Sequence, residues 1–132
     1  MLKYMLDTNI VIYVIKNRPS KLKALFKRNS GLMCISAVTF GELVYGAEKS
    51  AQTERNLADI EAMAARLEVL SLDISAATHF GQLRAELAKS GKQIGPYDQM
   101  IAGHARSLGL ILVTNNTKEF KRVPGLRIDN WI

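Results

Sequence analysis

Cysteine and histidine are scarce, with one Cys and two His in 132 residues. Zn²⁺ sites usually draw on Cys or His, and Cys34, His79 and His104 show no ligand-like spacing, which argues against a zinc centre. Cys34 lies in the apolar run Leu32-Met33-Cys34-Ile35, where a thiol behaves as a small buried hydrophobe rather than a nucleophile. The histidines are expected to pack or cap within helices. His104 stands six residues from Asp98, on another helical face, which disfavours a histidine acid–base pair.

Long apolar runs are also missing. None approaches the roughly 18 to 20 residues of a membrane span, and Met1 to Leu6 is too short for a signal-peptide core, so no membrane association is expected and a cytoplasmic protein is. There is no repeat, linker or low-complexity tract. At 132 residues, 48% of them hydrophobic, the chain has the size of one domain, residues 1–132, with one sizeable core.

Acids are the minority: twelve Asp and Glu against eighteen Lys and Arg give a net charge of +6. Such a balance draws in polyanions through phosphate contacts and counterion release. Lys16, Arg18, Lys21, Lys23, Lys27 and Arg28 form a stretch without an acid, which reads either as a solvated helix face or as a surface that touches RNA.

The apolar segments set the architecture. Leu2 to Leu6 reads as a buried parallel strand that breaks at Asp7-Thr8-Asn9. Ile10 to Ile15 has strand propensity, but Asn9 as a cap and the break at Arg18-Pro19 favour a short buried helix. Ser20 is placed as the N-cap of a helix to Arg28, Leu32 to Ile35 as a second strand, and Ser36 as the cap of a helix over Ala37 to Lys49. On that helix Val38, Glu42 and Tyr45 share one face, an apolar stripe with an acid in it.

Thr53 opens a further helix to about Arg66, and Glu68 to Leu72 reads as a third strand. Asp73 or Ser75 starts a helix to Lys89. Gly95-Pro96 signals another helix, with Asp98 in its first turn and an end near Leu108-Gly109. Leu110 to Val113 is the fourth strand, and Leu126 to Asp129 alternates as an edge strand does. Strands separated by helices predict an α/β sandwich with a mainly parallel sheet of four to five strands.

In such a sheet ligands bind beyond the carboxyl ends of the strands, where Asp7 and Asn116 fall. Glu42 and Asp98 lie near helix starts that commonly face the same rim. Each acid also has a structural explanation, as a cap, a salt-bridge partner or a first-turn dipole residue. If they meet, two carboxylates about 4 Å apart repel by roughly 4 kcal/mol at an effective dielectric near 20. Protonation of one acid, or a divalent cation, would offset this. The helix dipole favours Asp98 as an anion and therefore the cation, and an oxygen-only set suits Mg²⁺ or Mn²⁺.

Four ordered blocks now stand out: Met5-Leu6-Asp7-Thr8-Asn9, Ile35-Ser36 through Glu42 to Ser50, Ile94-Gly95-Pro96-Tyr97-Asp98, and Leu112-Val113-Thr114-Asn115-Asn116 with Phe120 and Trp131. With these the chain resembles, nearly end to end, the PIN-domain nucleases and more closely the VapC toxins of type II VapBC toxin–antitoxin pairs. The resemblance implies that Asp7, Glu42 and Asp98 are metal-binding catalytic acids, that Thr8 and Thr114 orient them, and that Asn9 and Asn116 support them. Many PIN domains carry a fourth acid where Asn116 stands. The Asn removes a charge and implies a single tightly held Mg²⁺, with any second ion arriving with substrate.

The implied activity is endoribonuclease cleavage of RNA, in some members of initiator tRNA in the anticodon stem-loop, which inhibits translation. The implied partners are a VapB-type antitoxin that blocks the site, a second toxin copy in a homodimer within a larger toxin–antitoxin assembly, and operator DNA reached only through the antitoxin. Lys16, Arg18, Lys21 and Lys23 are the candidate RNA contacts. The alternative is a catalytically inactive PIN-like module that binds RNA or a partner, for which Asn116 is the argument. A phosphatase with Asp7 as nucleophile would want a second Asp two residues on, where Asn9 stands.

Overall fold

A computed structural model describes all 132 residues, Met1 to Ile132. The strands β1 (Tyr4–Leu6), β2 (Met33–Ser36), β3 (Glu68–Leu70), β4 (Ile111–Val113) and β5 (Ile128–Asp129) form one sheet in the order β3-β2-β1-β4-β5. Every neighbouring pair is parallel. The chain builds outward from β1 first to one side and then to the other, so the strand order reverses between β1 and β4. At such a reversal the flanking connections diverge and leave a crevice at the carboxyl ends of the strands.

Alternation along the three central strands divides the core in two. Leu6, Met33, Ile35 and Val113 point into one cluster with Ile10, Leu22, Phe26, Leu43, Ile60 and Trp131. That cluster is covered by α1 (Thr8–Ile15), α2 (Ser20–Arg28), α3 (Ala37–Glu48) and α4 (Thr53–Ala64). Met5, Cys34 and Leu112 point into the other, with Leu83, Leu87, Ile101 and Phe120 from α5 (Ile74–Ser90), α6 (Pro96–Ser107) and the short α7 (Thr117–Phe120). Cys34 is fully buried, and burial with the nearby Glu68 pushes its thiol up to about 12. It is a core residue. No helix is long and apolar enough to cross a membrane.

Several local expectations need correction. Asp7, not Asn9, caps α1: its carboxylate accepts from the Thr8 N–H, and Asn9 sits inside the helix. Pro19 occupies the cap position of α2, its carbonyl accepting from Leu22 N at 3.0 Å, which moves Ser20 into the helix. Thr53 does open α4, with Gln52 in the cap position, and that helix ends at Ala64, two residues short of Arg66. Ser36 and Asp73 do cap α3 and α5, accepting from Val38 N and Ala76 N. The third strand stops at Leu70, and α7 was not anticipated, because a single turn has no periodicity to read.

The face of α3 that enters the core is Thr39, Leu43 and Ala47. The Val38, Glu42, Tyr45 stripe instead lines an open cleft of about 870 Å³ with Thr8, Tyr97 and Met100. Tyr45 is 65% exposed. Sequence spacing shows which residues share a face but not which face meets the core.

Helices α5 and α6 approach each other at Gly103. A Cβ there would lie 2.6 Å from Phe80 N and 2.8 Å from Phe80 Cα, so backbone would have to move. Gly103→Ala is therefore expected to destabilise the protein by about 1 to 3 kcal/mol, as overpacking does. Urea unfolding of the two proteins measures this, and an unchanged midpoint would refute the tight approach.

Candidate active site

The register of β1 on β4 pairs Leu6 with Val113, so the next residue of each strand, Asp7 and Thr114, emerges side by side at the crevice. Both are buried, Asp7 at 3% and Thr114 at 0% exposure. Each oxygen of the Asp7 carboxylate has a donor: Oδ1 accepts from Thr8 N at 2.8 Å and Oδ2 from the Thr114 hydroxyl at 2.9 Å. The Thr114 oxygen in turn accepts from Asn116 N at 2.9 Å, which leaves its single proton for Asp7.

Glu42 arrives from the second turn of α3. Its Oε1 accepts from the Thr8 hydroxyl at 2.7 Å, with the Thr39 hydroxyl 3.4 Å from that of Thr8. Thr8 thus links two acids, its amide to Asp7 and its hydroxyl to Glu42. Asp98 lies in the first turn of α6, following Gly95 as cap and Pro96 at the first helical position. It is held by the helix rather than by any side-chain donor.

These acids feel one another. Burial is the main cause that lifts Asp98 up to about 7, and the charges of Asp7, Glu42 and Glu119 add to it. The helix dipole favours an ionised Asp98, but desolvation and three like charges outweigh it. Asp7 is also raised, chiefly by burial, with Glu42 adding and the bonds from Thr114 and Thr8 opposing.

Glu119 was missed in the sequence. It is half-buried on α7, three residues beyond Asn116, the spacing that puts two side chains on one helical face. That acid at three residues' remove was the available signal. Asn116 occupies the cap position of α7 and contributes its backbone N–H, not its side chain, to the site. Asn9 is exposed and forms no side-chain hydrogen bond.

The basic residues do not converge on the acids as a set. Lys16 lines a separate cleft of about 260 Å³ that includes Glu42. Arg18, Lys21 and Lys23 are exposed beyond the far end of α1. The protein's one ion pair, Arg106 with Glu86 at 3.9 Å, lies elsewhere.

No three acids, His or Cys stand in a ready-made metal-gripping group. The chemistry of the donors nevertheless fits a hard divalent cation: Asp7, Glu42, Asp98 and Glu119 offer only oxygen, repel one another, and have no Lys or Arg salt-bridged to them. His104 belongs to a different environment, buried with Nδ1 2.8 Å from the Ser36 hydroxyl.

Comparison with known proteins adds three findings. The profile of the PIN domain family matches residues 4–126. The tRNA(fMet)-specific endonuclease VapC of Shigella flexneri is 63% identical over 131 residues, 99% of each chain. Among solved structures, DNA-bound VapBC from Salmonella typhimurium superposes with a TM-score of 0.97 at 58% identity over 100% of both chains. VapBC2 from Rickettsia felis, bound to a promoter fragment, gives 0.94 at 37% identity over 99% of this chain and 100% of that one.

The raised Asp98 carries a stability prediction. Because its folded pKa of about 7 exceeds the unfolded value near 3.8, Asp98 costs stability as pH rises between the two, and the full cost stands above about pH 7. Without divalent ions, Asp98→Asn should therefore melt at a higher temperature than the parent at pH 8. The gain should shrink as pH falls and vanish near pH 4. Thermal scans across this range measure it, and a gain independent of pH would contradict the assigned cause.

Proposed function

The chain belongs to the PIN-domain family and, within it, to the VapC ribonucleases, and from that membership we propose that it is the Mg²⁺-dependent toxin of a type II toxin–antitoxin pair, cleaving initiator tRNA. The observation that carries the reading is that Asp7 and Glu42 are bridged by Thr8 beside the β1/β4 crevice, that their charges and that of Glu119 bear on Asp98, and that none of the four has a basic partner. Such an arrangement costs stability and is tolerated where it serves chemistry. Glu119 also weakens the argument for an inactive binding module, since a fourth acid is present although Asn116 is not one.

Asp7, Glu42 and Asp98 would hold the cation, Mg²⁺ or Mn²⁺, with Glu119 beside them. When bound, the cation would lower the pKa of a coordinated water and balance charge that grows on the phosphate oxygens. The protein's own part is orientation and proton handling. Thr114 and Thr8 fix the Asp7 carboxylate and Thr8 fixes Glu42, so neither has to reorganise when substrate arrives. Asp98, at the start of α6, would orient the attacking water and take up its proton.

Solved relatives are VapBC complexes, and a VapB-type antitoxin is the matching partner here. The cleft between α1, α3 and α4, lined by Ile12, Ile15, Leu43 and Ile60, opens beside Glu42. An amphipathic segment seated there would reach the acids. A homodimer within a larger assembly, operator DNA reached through the antitoxin, and a cytoplasmic location complete the reading. The net charge of +6 suits an RNA substrate.

Incubation of total RNA and purified initiator tRNA with the protein, with and without chelator, tests this. One discrete, chelator-sensitive cut is expected. Asp7→Asn and Asp98→Asn should each lower its rate by about 100-fold or more, the scale of losing a preorganised charged group. Glu119→Gln should lower it about 10-fold. RNA binding without cleavage, or cleavage that survives both Asn variants, would overturn the proposal.

A further inference from the structure

His104 is 2% exposed and Ser36 fully buried, yet the two polar side chains meet across 68 residues of sequence at 2.8 Å. Ser36 Oγ already accepts from Val38 N at 3.1 Å as the cap of α3. Its own proton has one acceptor within reach, His104 Nδ1. The hydroxyl therefore donates to the ring, and the ring's proton resides on Nε2. Burial, only partly opposed by Asp73, lowers the imidazole pKa, the direction that favours the neutral ring this tautomer requires.

The placement of this bond matters. Ser36 ends β2 and starts α3, which carries Glu42 six residues later; His104 lies on α6, which carries Asp98 six residues earlier. Six residues of helix are roughly 9 Å at about 1.5 Å per residue, so each acid stands a short rigid arm from the bond. The other side-chain hydrogen bonds of α6 run to Gln93, Ile94, His79, Gln82, Pro124 and within the helix itself. His104 to Ser36 is thus the one side-chain hydrogen bond that ties α6 to the β2–α3 unit.

We propose that His104 is a positioning residue: its hydrogen bond to the Ser36 hydroxyl sets the separation of the α3 and α6 helices, and through them of Glu42 and Asp98. The inference rests on the nuclease reading above. A displacement of about 1 Å at a reacting group can cost on the order of 100-fold in rate, and apolar packing alone tolerates sliding that a directional bond does not.

The test compares the parent with His104→Leu, which fills similar space without an acceptor, and His104→Asn, whose amide oxygen stands near the position of Nδ1. Steady-state cleavage, thermal unfolding and crystal structures are read for each. His104→Leu should lower kcat about 10-fold or more with KM changed less than about 2-fold, and His104→Asn should stay within about 3-fold of the parent. The α3 to α6 distance should shift in the Leu variant and be retained in the Asn variant. An unchanged kcat with a lowered melting temperature would reduce His104 to a packing residue, and an unchanged helix separation would overturn the inference even if cleavage were lost. If His104→Leu does not fold, Ser36→Ala, which removes the donor, must show the same selective loss of kcat. A parent that cleaves no RNA would refute the nuclease reading, and the helix distances would still decide the positioning role.

Discussion

Four carboxylates, Asp7, Glu42, Asp98 and Glu119, are close enough for their charges to bear on Asp98, none has a salt bridge, and much of the local structure compensates for that charge. Asp7 is buried, and a buried carboxylate persists only when its oxygens are hydrogen-bonded. Its two donors come from the next residue in the chain and from the neighbouring strand, so the β1–β4 register is what makes the site possible. A slip of one residue would turn Thr114 to the opposite face of the sheet and leave Asp7 with one donor.

The compensation is incomplete, and Asp98 shows it. Hydroxyls and backbone amides hold Asp7 and Glu42, while Asp98 has only the start of α6. Its pKa of about 7 records the balance between a helix end that favours the anion and burial plus three like charges that oppose it. The cost falls on Asp98 as well as on the raised Asp7. A divalent cation would relieve it there, which couples ion binding to folding stability.

Rigidity comes from how the acid-bearing elements are joined. Asp7 follows a central strand with cores on both sides, Glu42 rides on α3 through its buried Thr39, Leu43 and Ala47 face, and Asp98 rides on α6. Helix α6 is pressed on α5 at Gly103, where there is room for a hydrogen atom and not for a methyl group. The geometry of the crevice is thus inherited from packing well away from it.

Much of this was legible in one dimension. Apolar runs that end at an acid or a cap residue marked four strands and most helix starts, because burial period and capping are local properties of a sequence. Asp7, Glu42 and Asp98 were identifiable from their motifs, and their places beyond a strand and on two helices followed from the same patterns. The caps of α1 and α2 were misjudged by a residue or two, since the chain's path outside a helix decides which group closes its end. What only the tertiary structure decided was pairing: which face of α3 meets the core, that Thr8 bonds Glu42, that Glu119 joins the acids from a single-turn helix, and that His104 finds Ser36. Those contacts join segments tens of residues apart, and the free energy that selects them belongs to the closed sheet and its two cores rather than to any stretch of sequence.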